Sequence, residues 1–208
     1  MVKKRSKNEA KRQQILDAAI NLFTDQGFAA TSMELIAKNA DVSKQTVYSH
    51  FGNKDDLFSA SIEKKCGSLH ILDLSMNDLS DPQTVLFTLA RRFTDIITSK
   101  QSCAVHKICA FESSAYPQVS DIFYQAGPLK ITNEVALLME KLHQQKILFI
   151  ENPRHAALQF LSMVKGELWM QVEFNTKERI SPEEVDEYLR NSVVFFIRGY
   201  ATLNSEFS

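Results

Sequence analysis

The chain has 208 residues, with 24 Lys and Arg against 25 Asp and Glu and a formal net charge of −1, a balance that excludes a general DNA-coating protein. Its 44% hydrophobic content is ample for the core of one large domain or two small ones. Only Cys66, Cys103 and Cys109 are available as thiols; an odd, sparse set fits a reducing cytoplasm rather than a disulfide framework.

The N-terminus is basic: Lys3, Lys4, Arg5, Lys7, Lys11 and Arg12 face only Glu9. Such an arm can lie against phosphates or enter a minor groove, or stay a solvated tail. No apolar stretch follows it, so no secretory signal is expected. No apolar run approaches the roughly 20 residues of a spanning helix. The expected location is therefore cytoplasmic, with no membrane partner. From Asn8 to Gln26, Ile15, Ala19, Leu22 and Phe23 recur at helical spacing, and Gly27 reads as a stop.

The next segment, Thr31 to Lys54, reads as two short helices joined by a tight turn. Thr31 with Glu34 three residues on is a capping-box signal. Leu35 and Ile36 point at a core, and the small Ala37 permits a close crossing. Asp41 stands where the chain must leave the first helix, and Asp tolerates a positive φ better than most residues. Val42 can plug the corner, Ser43 can cap the second helix, and Val47 falls on its buried side. Lys44, Gln45, Thr46 and Tyr48 are then left on the other side. They are donors, acceptors and one aromatic hydroxyl, the chemistry that meets base edges and phosphates. A plain helical hairpin with a solvated polar face is the alternative reading of this segment.

After it, Asn53 is a plausible cap, with Asp55 and Asp56 placed to favour a helix start. Ile15, Leu16, Ala18, Ala19, Phe23, Gly27, Phe28, Thr31, Ile36, Ala37, Val42, Ser43, Thr46, Val47, Tyr48, His50, Phe51, Asn53 and Lys54 closely resemble, at fixed spacing, the N-terminal domain of TetR-family transcriptional repressors. The resemblance runs from about residue 10 to residue 65. Asp41 departs from the commoner Gly of the turn, and Gln45 from a common Gly or Ala. The resemblance implies that Lys44, Gln45 and Thr46 read bases. It implies that Ser43, Tyr48, His50 and Lys54 hold the phosphate backbone, with Thr31 near the supporting helix start touching a phosphate too.

Beyond residue 65 the pattern stays helical. Asp81-Pro82, Asn152-Pro153 and Ser181-Pro182 each place a cap before a proline at the first helical position, and Glu184 completes a capping box with Ser181. Tyr116-Pro117 and Gly127-Pro128 mark further breaks. Helices are expected near 54–71, 82–100, 103–115, 117–126, 129–146, 153–174 and 182–203. The fold is expected to be all-α, with residues 1–53 as DNA-binding domain and 54–208 as helical ligand-binding and dimerisation domain.

The last two helices are the most apolar. Phe160, Leu161, Val164, Leu168 and Trp169 lie on the first, and Tyr188, Leu189, Val193, Phe196, Ile197 and Tyr200 on the second. Each is too rich for one narrow stripe, which points to a four-helix interface with a second chain; a thick intramolecular core is the alternative. The resemblance favours the dimer. Residues 110–128 and 153–166 are also similar to the C-terminal domain of AefR-like members. Within the family the middle helices enclose an effector cavity. That implies Phe87, Phe93, Phe111, Phe123, Tyr124 and Met163 as walls for a small apolar or amphipathic effector, with His106 and Glu112 as polar anchors.

Cys103, His106 and Cys109 at steps of three invite a metal or thiol-sensor reading, but a closed zinc site needs four ligands in paired spacing. Small buried cysteines are the better reading, and no metal or other cofactor is expected. No nucleophile elbow, phosphate loop, dinucleotide fingerprint or His-Glu-x-x-His is present, so an enzyme is not expected. A helical adaptor that binds only protein is the remaining alternative. The reading drawn from these features is a homodimer that binds a palindromic double-stranded DNA operator as a ligand-responsive repressor.

Overall fold

A computed structural model describes residues 7–66, 78–176 and 181–201. Among them the elements are α1 (Lys7–Ala30), α2 (Met33–Asn39), α3 (Lys44–Phe51), α4 (Lys54–Cys66), a single 3-10 turn (Asp78–Ser80), α5 (Pro82–Ile97), α6 (Lys100–Glu112), α7 (Pro117–Tyr124), α8 (Lys130–Gln144), α9 (Pro153–Glu173) and α10 (Pro182–Gly199). The described residues contain no strand. Lys3, Lys4 and Arg5 lie outside the described residues. Lys11 and Arg12 do not belong to an arm: they ride on the first turns of α1.

The proline signals work as read. Asp81, Asn152 and Ser181 each accept a backbone N–H three residues on, ahead of a proline in the first turn. The expected break at Gly127-Pro128 is different. Residues Gln125–Leu129 form a π-helical turn with Pro128 inside it. Proline lacks the N–H of the regular ladder and its ring crowds the carbonyl four residues back. A locally widened turn relieves both.

The described residues of Met1–Gly67 and Lys100–Pro128 form one compact unit, and those of Ser68–Ser99 and Leu129–Ser208 a second. The division expected at residue 53 concerns roles; in packing, α4, α6 and α7 join α1–α3. In the first unit Ile15, Ala19, Ile36, Val47 and Leu57 are fully buried. Phe23, Phe28 and Phe58 lock together, with ring centroids 5.8, 5.0 and 5.2 Å apart. Two edge-to-face contacts and one offset stack add to the area that the rings bury.

In the second unit α8 packs along α9, and α5 packs on both α9 and α10. Ala156 and Ala157 let the helices approach, while Phe160 meets Phe196 edge to face at 5.0 Å. This overturns part of the interface expected from sequence: Phe160, Leu161, Val164, Leu189, Val193 and Phe196 are buried within the chain itself. The apolar faces of α9 and α10 are wide because α5 and α8 cover them. Leu168, Trp169, Ile197 and Tyr200 are half-buried, and Tyr188 is at the surface.

Removing the Phe58 ring should leave a cavity where three rings meet. Phe58→Ala is expected to lower the unfolding free energy by about 3–5 kcal/mol, read from urea denaturation of the transition that includes α1–α4.

Candidate nucleic-acid interface

The chain leaves α1 through a break at Gly27, whose φ of 85° and ψ of 175° suit glycine alone. The N-terminus of α2 corrects the sequence reading. Ser32, not Thr31, is the cap, accepting from the Leu35 N–H at 3.1 Å. Thr31 is 1% exposed and donates its hydroxyl to Gly27 O at 2.7 Å. Its side chain is therefore not presented to a phosphate. Either of two adjacent hydroxyl residues could cap; burial of Thr31 decides which does.

The corner follows expectation. Asp41 adopts φ 50°, Val42 donates to Ala37 O at 3.1 Å and packs half-buried on the core. Ser43 caps α3, accepting from the Thr46 N–H at 3.1 Å, and its hydroxyl shares a second bond with Thr46 Oγ1 at 2.8 Å. Val47 and Phe51 are the buried positions of α3. Lys44 and Gln45 are consequently exposed, Thr46 and His50 half-exposed, and Tyr48 is 42% exposed. Gly52, at φ 72°, ends α3, and Asn53 Oδ1 accepts from the Asp56 N–H at 2.8 Å to begin α4.

Two cations have partners that the sequence did not reveal. Lys44 pairs with Glu34 of α2. The shared hydrogen bond and charge attraction raise the Lys44 pKa and lower that of Glu34. The Lys44 ammonium also sits 5.6 Å from the centre of the Tyr48 ring. Lys54, expected on a phosphate, is turned inward. Its ammonium donates to Phe28 O and Thr31 O, each at 3.0 Å, and lies 4.1 Å from the centre of the Phe28 ring. Burial lowers its pKa against the opposing fields of Asp55 and Glu112. Lys54 thus secures the end of α1. Arg12 stacks its guanidinium 5.0 Å from the centre of the Phe51 ring, at the end of α3.

The side chains expected to line the effector pocket are divided between the two units. In the first, Phe111 is 89% exposed and Tyr124 is also at the surface. Phe123 rests against His106, with ring centroids 6.0 Å apart, and Glu112 turns toward Gly27. A depression of about 490 Å³ along α7 is lined by Pro117, Gln118, Ser120, Asp121 and Tyr124. In the second unit Phe93 is buried in the core and Met163 is half-buried. The Arg190 guanidinium lies 4.5 Å from the centre of the Phe87 ring, beside a depression of about 150 Å³. Helical spacing shows which residues share a face, not which of two units covers it.

Cys103 and Cys109 are buried, and burial pushes the Cys109 pKa up to about 12, the opposite of a reactive thiolate. Among the described residues no group of three or more His, Cys, Asp or Glu is placed to hold a metal. Nor is any described helix long and apolar enough to cross a membrane.

A capped helix held by one apolar face, its polar face outward beside a tight turn, defines a helix-turn-helix transcription regulator. Comparison with known proteins agrees. Residues 15–61 match the model of bacterial regulatory proteins of the tetR family, and residues 84–202 that of the AefR-like transcriptional repressor C-terminal domain. The chain belongs to the TetR family of DNA-binding transcriptional regulators, which are not enzymes.

It is similar to the HTH-type transcriptional regulator AcrR of Shigella flexneri, 40% identical over 87 residues, a match covering 40% of each chain. The chain thus spans about two fifths of that curated relative's length. Among solved structures it resembles the flavonoid-responsive regulator FrrA with TM-score 0.75 and 32% identity, over 93% of this chain and 98% of that one. The fold also matches a TetR transcriptional regulator from Agrobacterium tumefaciens with TM-score 0.72 and 22% identity, over 92% and 95% of the two chains.

Glu34 places a carboxylate beside the exposed Lys44 ammonium. Glu34→Gln should release that ammonium, raise affinity for the selected duplex and steepen the fall of log affinity with log salt by about one, measured by fluorescence anisotropy across a salt series.

Proposed function

We propose that the chain is a homodimeric repressor that binds a palindromic operator and leaves it when a small apolar or amphipathic effector binds. In this reading residues up to 53 supply the DNA contacts, and residues 54–208 bind the effector and pair the protomers. The observation that carries it is the fixed rotation of α3. With Val47 and Phe51 inward, Lys44, Gln45 and Thr46 lie at the leading end of the helix where base edges are read. Ser43, Tyr48 and His50 flank them toward the backbone.

One short helix reads only a few base pairs, and a two-fold pair reads a longer site with useful specificity. The chain has an apolar surface for that pairing. On α10, Phe195 is 70% exposed, and Tyr188, seven residues earlier, reaches the surface while its hydroxyl donates to Met163 O on α9. On α9, Leu158 and Met170 are exposed too. These residues, with the half-buried Leu168, Trp169, Ile197 and Tyr200, are the proposed interface. The similarity to FrrA, whose name describes it as flavonoid-responsive, makes flat polyphenols the first effectors to screen. Effector binding is proposed to favour a dimer whose α3 pair is spaced wrongly for successive major grooves. A coupling of about 1–3 kcal/mol changes operator affinity roughly 5–150-fold. Equal effector affinity for free and operator-bound protein would rule this out.

Selection from a random duplex pool should return a palindrome with half-sites about one helical turn apart. Gln45→Ala should change the bases selected, whereas identical selected sequences would remove Gln45 from base reading. Phe195→Glu should give a monomer by sedimentation, with helix content retained and palindrome binding lost; a dimer persisting in that variant would place the interface elsewhere.

A further inference from the structure

The break at Gly27 produces a tight turn, closed by the Thr31 N–H on Phe28 O at 3.2 Å, that runs directly into Ser32 and α2. This turn is held from two sides. From α4, Lys54 takes two of its carbonyls. From the end of α6, Glu112 reaches the opposite side, where Oε1 accepts from the Ala29 N–H at 3.5 Å. The same oxygen occupies the space above Gly27: a Cβ there would stand 2.6 Å from it, with Ile108 of α6 also in contact range. Glu112 and Lys54 attract across the turn.

The second carboxylate oxygen, Oε2, is buried with no hydrogen-bond partner. An orphaned buried oxygen costs stability, so packing alone gives no reason for a carboxylate at this place. A carboxylate set over Gly27, where only a residue without a Cβ leaves room for it, does.

We propose that Glu112 is a positioning residue for DNA binding, clamping α6 to the Gly27 turn and so setting the angle at which α2 and α3 leave α1. Any shift of α6 along its axis withdraws the carboxylate from the Ala29 amide and frees the turn. Helix α6 thereby acts on α2 and α3 through this side chain in addition to Val105 and Cys109, which share their apolar core. The proposal rests on the DNA-binding reading, and wild-type selection of a duplex tests that reading first.

With the selected duplex in hand, Glu112→Ala should bind it about 10-fold more weakly, within the range of coupled sites. Glu112→Gln, which keeps the acceptor, should recover most of that loss. Hydrogen exchange at the Ala29 amide should quicken in Glu112→Ala and stay near the wild-type rate in Glu112→Gln. Should Glu112→Ala not fold, Glu112→Asp, which retracts the carboxylate by one methylene, carries the same expectation. A folded Glu112→Ala or Glu112→Asp that melts at a lower temperature yet binds the duplex within twofold of wild type overturns the clamp. Unchanged Ala29 exchange in that variant overturns it as well. A wild type that selects no sequence fails the DNA-binding reading instead.

Discussion

The recognition helix is eight residues long, too short to form or hold a direction by itself in water. Its direction is a tertiary property. Val47 and Phe51, one turn apart, drop into a core that already contains Ile15, Ile36, Leu57 and the three locked phenylalanine rings. Because those two positions point inward, the rotation of α3 about its axis is fixed. Every other feature of the reading surface follows from that rotation: which side chains face out, where Ser43 must cap, and why Gly52 must end the helix. The packed interior tolerates little change in shape, so the aromatic cluster and the proposed DNA contacts are two ends of the same constraint.

The second unit solves a different problem with the same means. Its long helices bury broad apolar faces on each other, and the alanine pair at the start of α9 brings backbones close. What remains outside is a narrower apolar band, with Phe195 most exposed on α10. Large aromatic side chains are seldom left in water without use when they share a helix face. The band therefore gives the proposed two-fold pairing a physical place, separate from the core that the sequence pattern alone would have merged with it.

Much of this was legible in the sequence wherever the signal was local. The proline-led helix starts, the Ser43 cap, the positive φ at Asp41 and the inward Val47 each depend on a residue and its neighbours within four positions. Three things were not legible, and each depends on distance along the chain. Lys54 reads as a phosphate contact until Phe28 and Thr31, far upstream, present carbonyls to it. Glu112 reads as a pocket anchor until Gly27 is seen beneath it. Phe160 and Phe196 read as interface until each is found against the other. Periodicity reports that a face is apolar and is silent about what covers it. The cap at Thr31 failed for a smaller reason: two adjacent hydroxyls compete, and only burial chooses.

The ion pair between Glu34 and Lys44 has a consequence for how such a regulator diverges. Glu34 stands on the supporting helix, yet it governs how freely Lys44, a proposed base reader, is offered to the duplex. In that reading, exchange of a single carboxylate one helix away alters both the grip on DNA and the word preferred. Promoter occupancy and promoter choice are then inherited together through one ion pair in descendants of this chain.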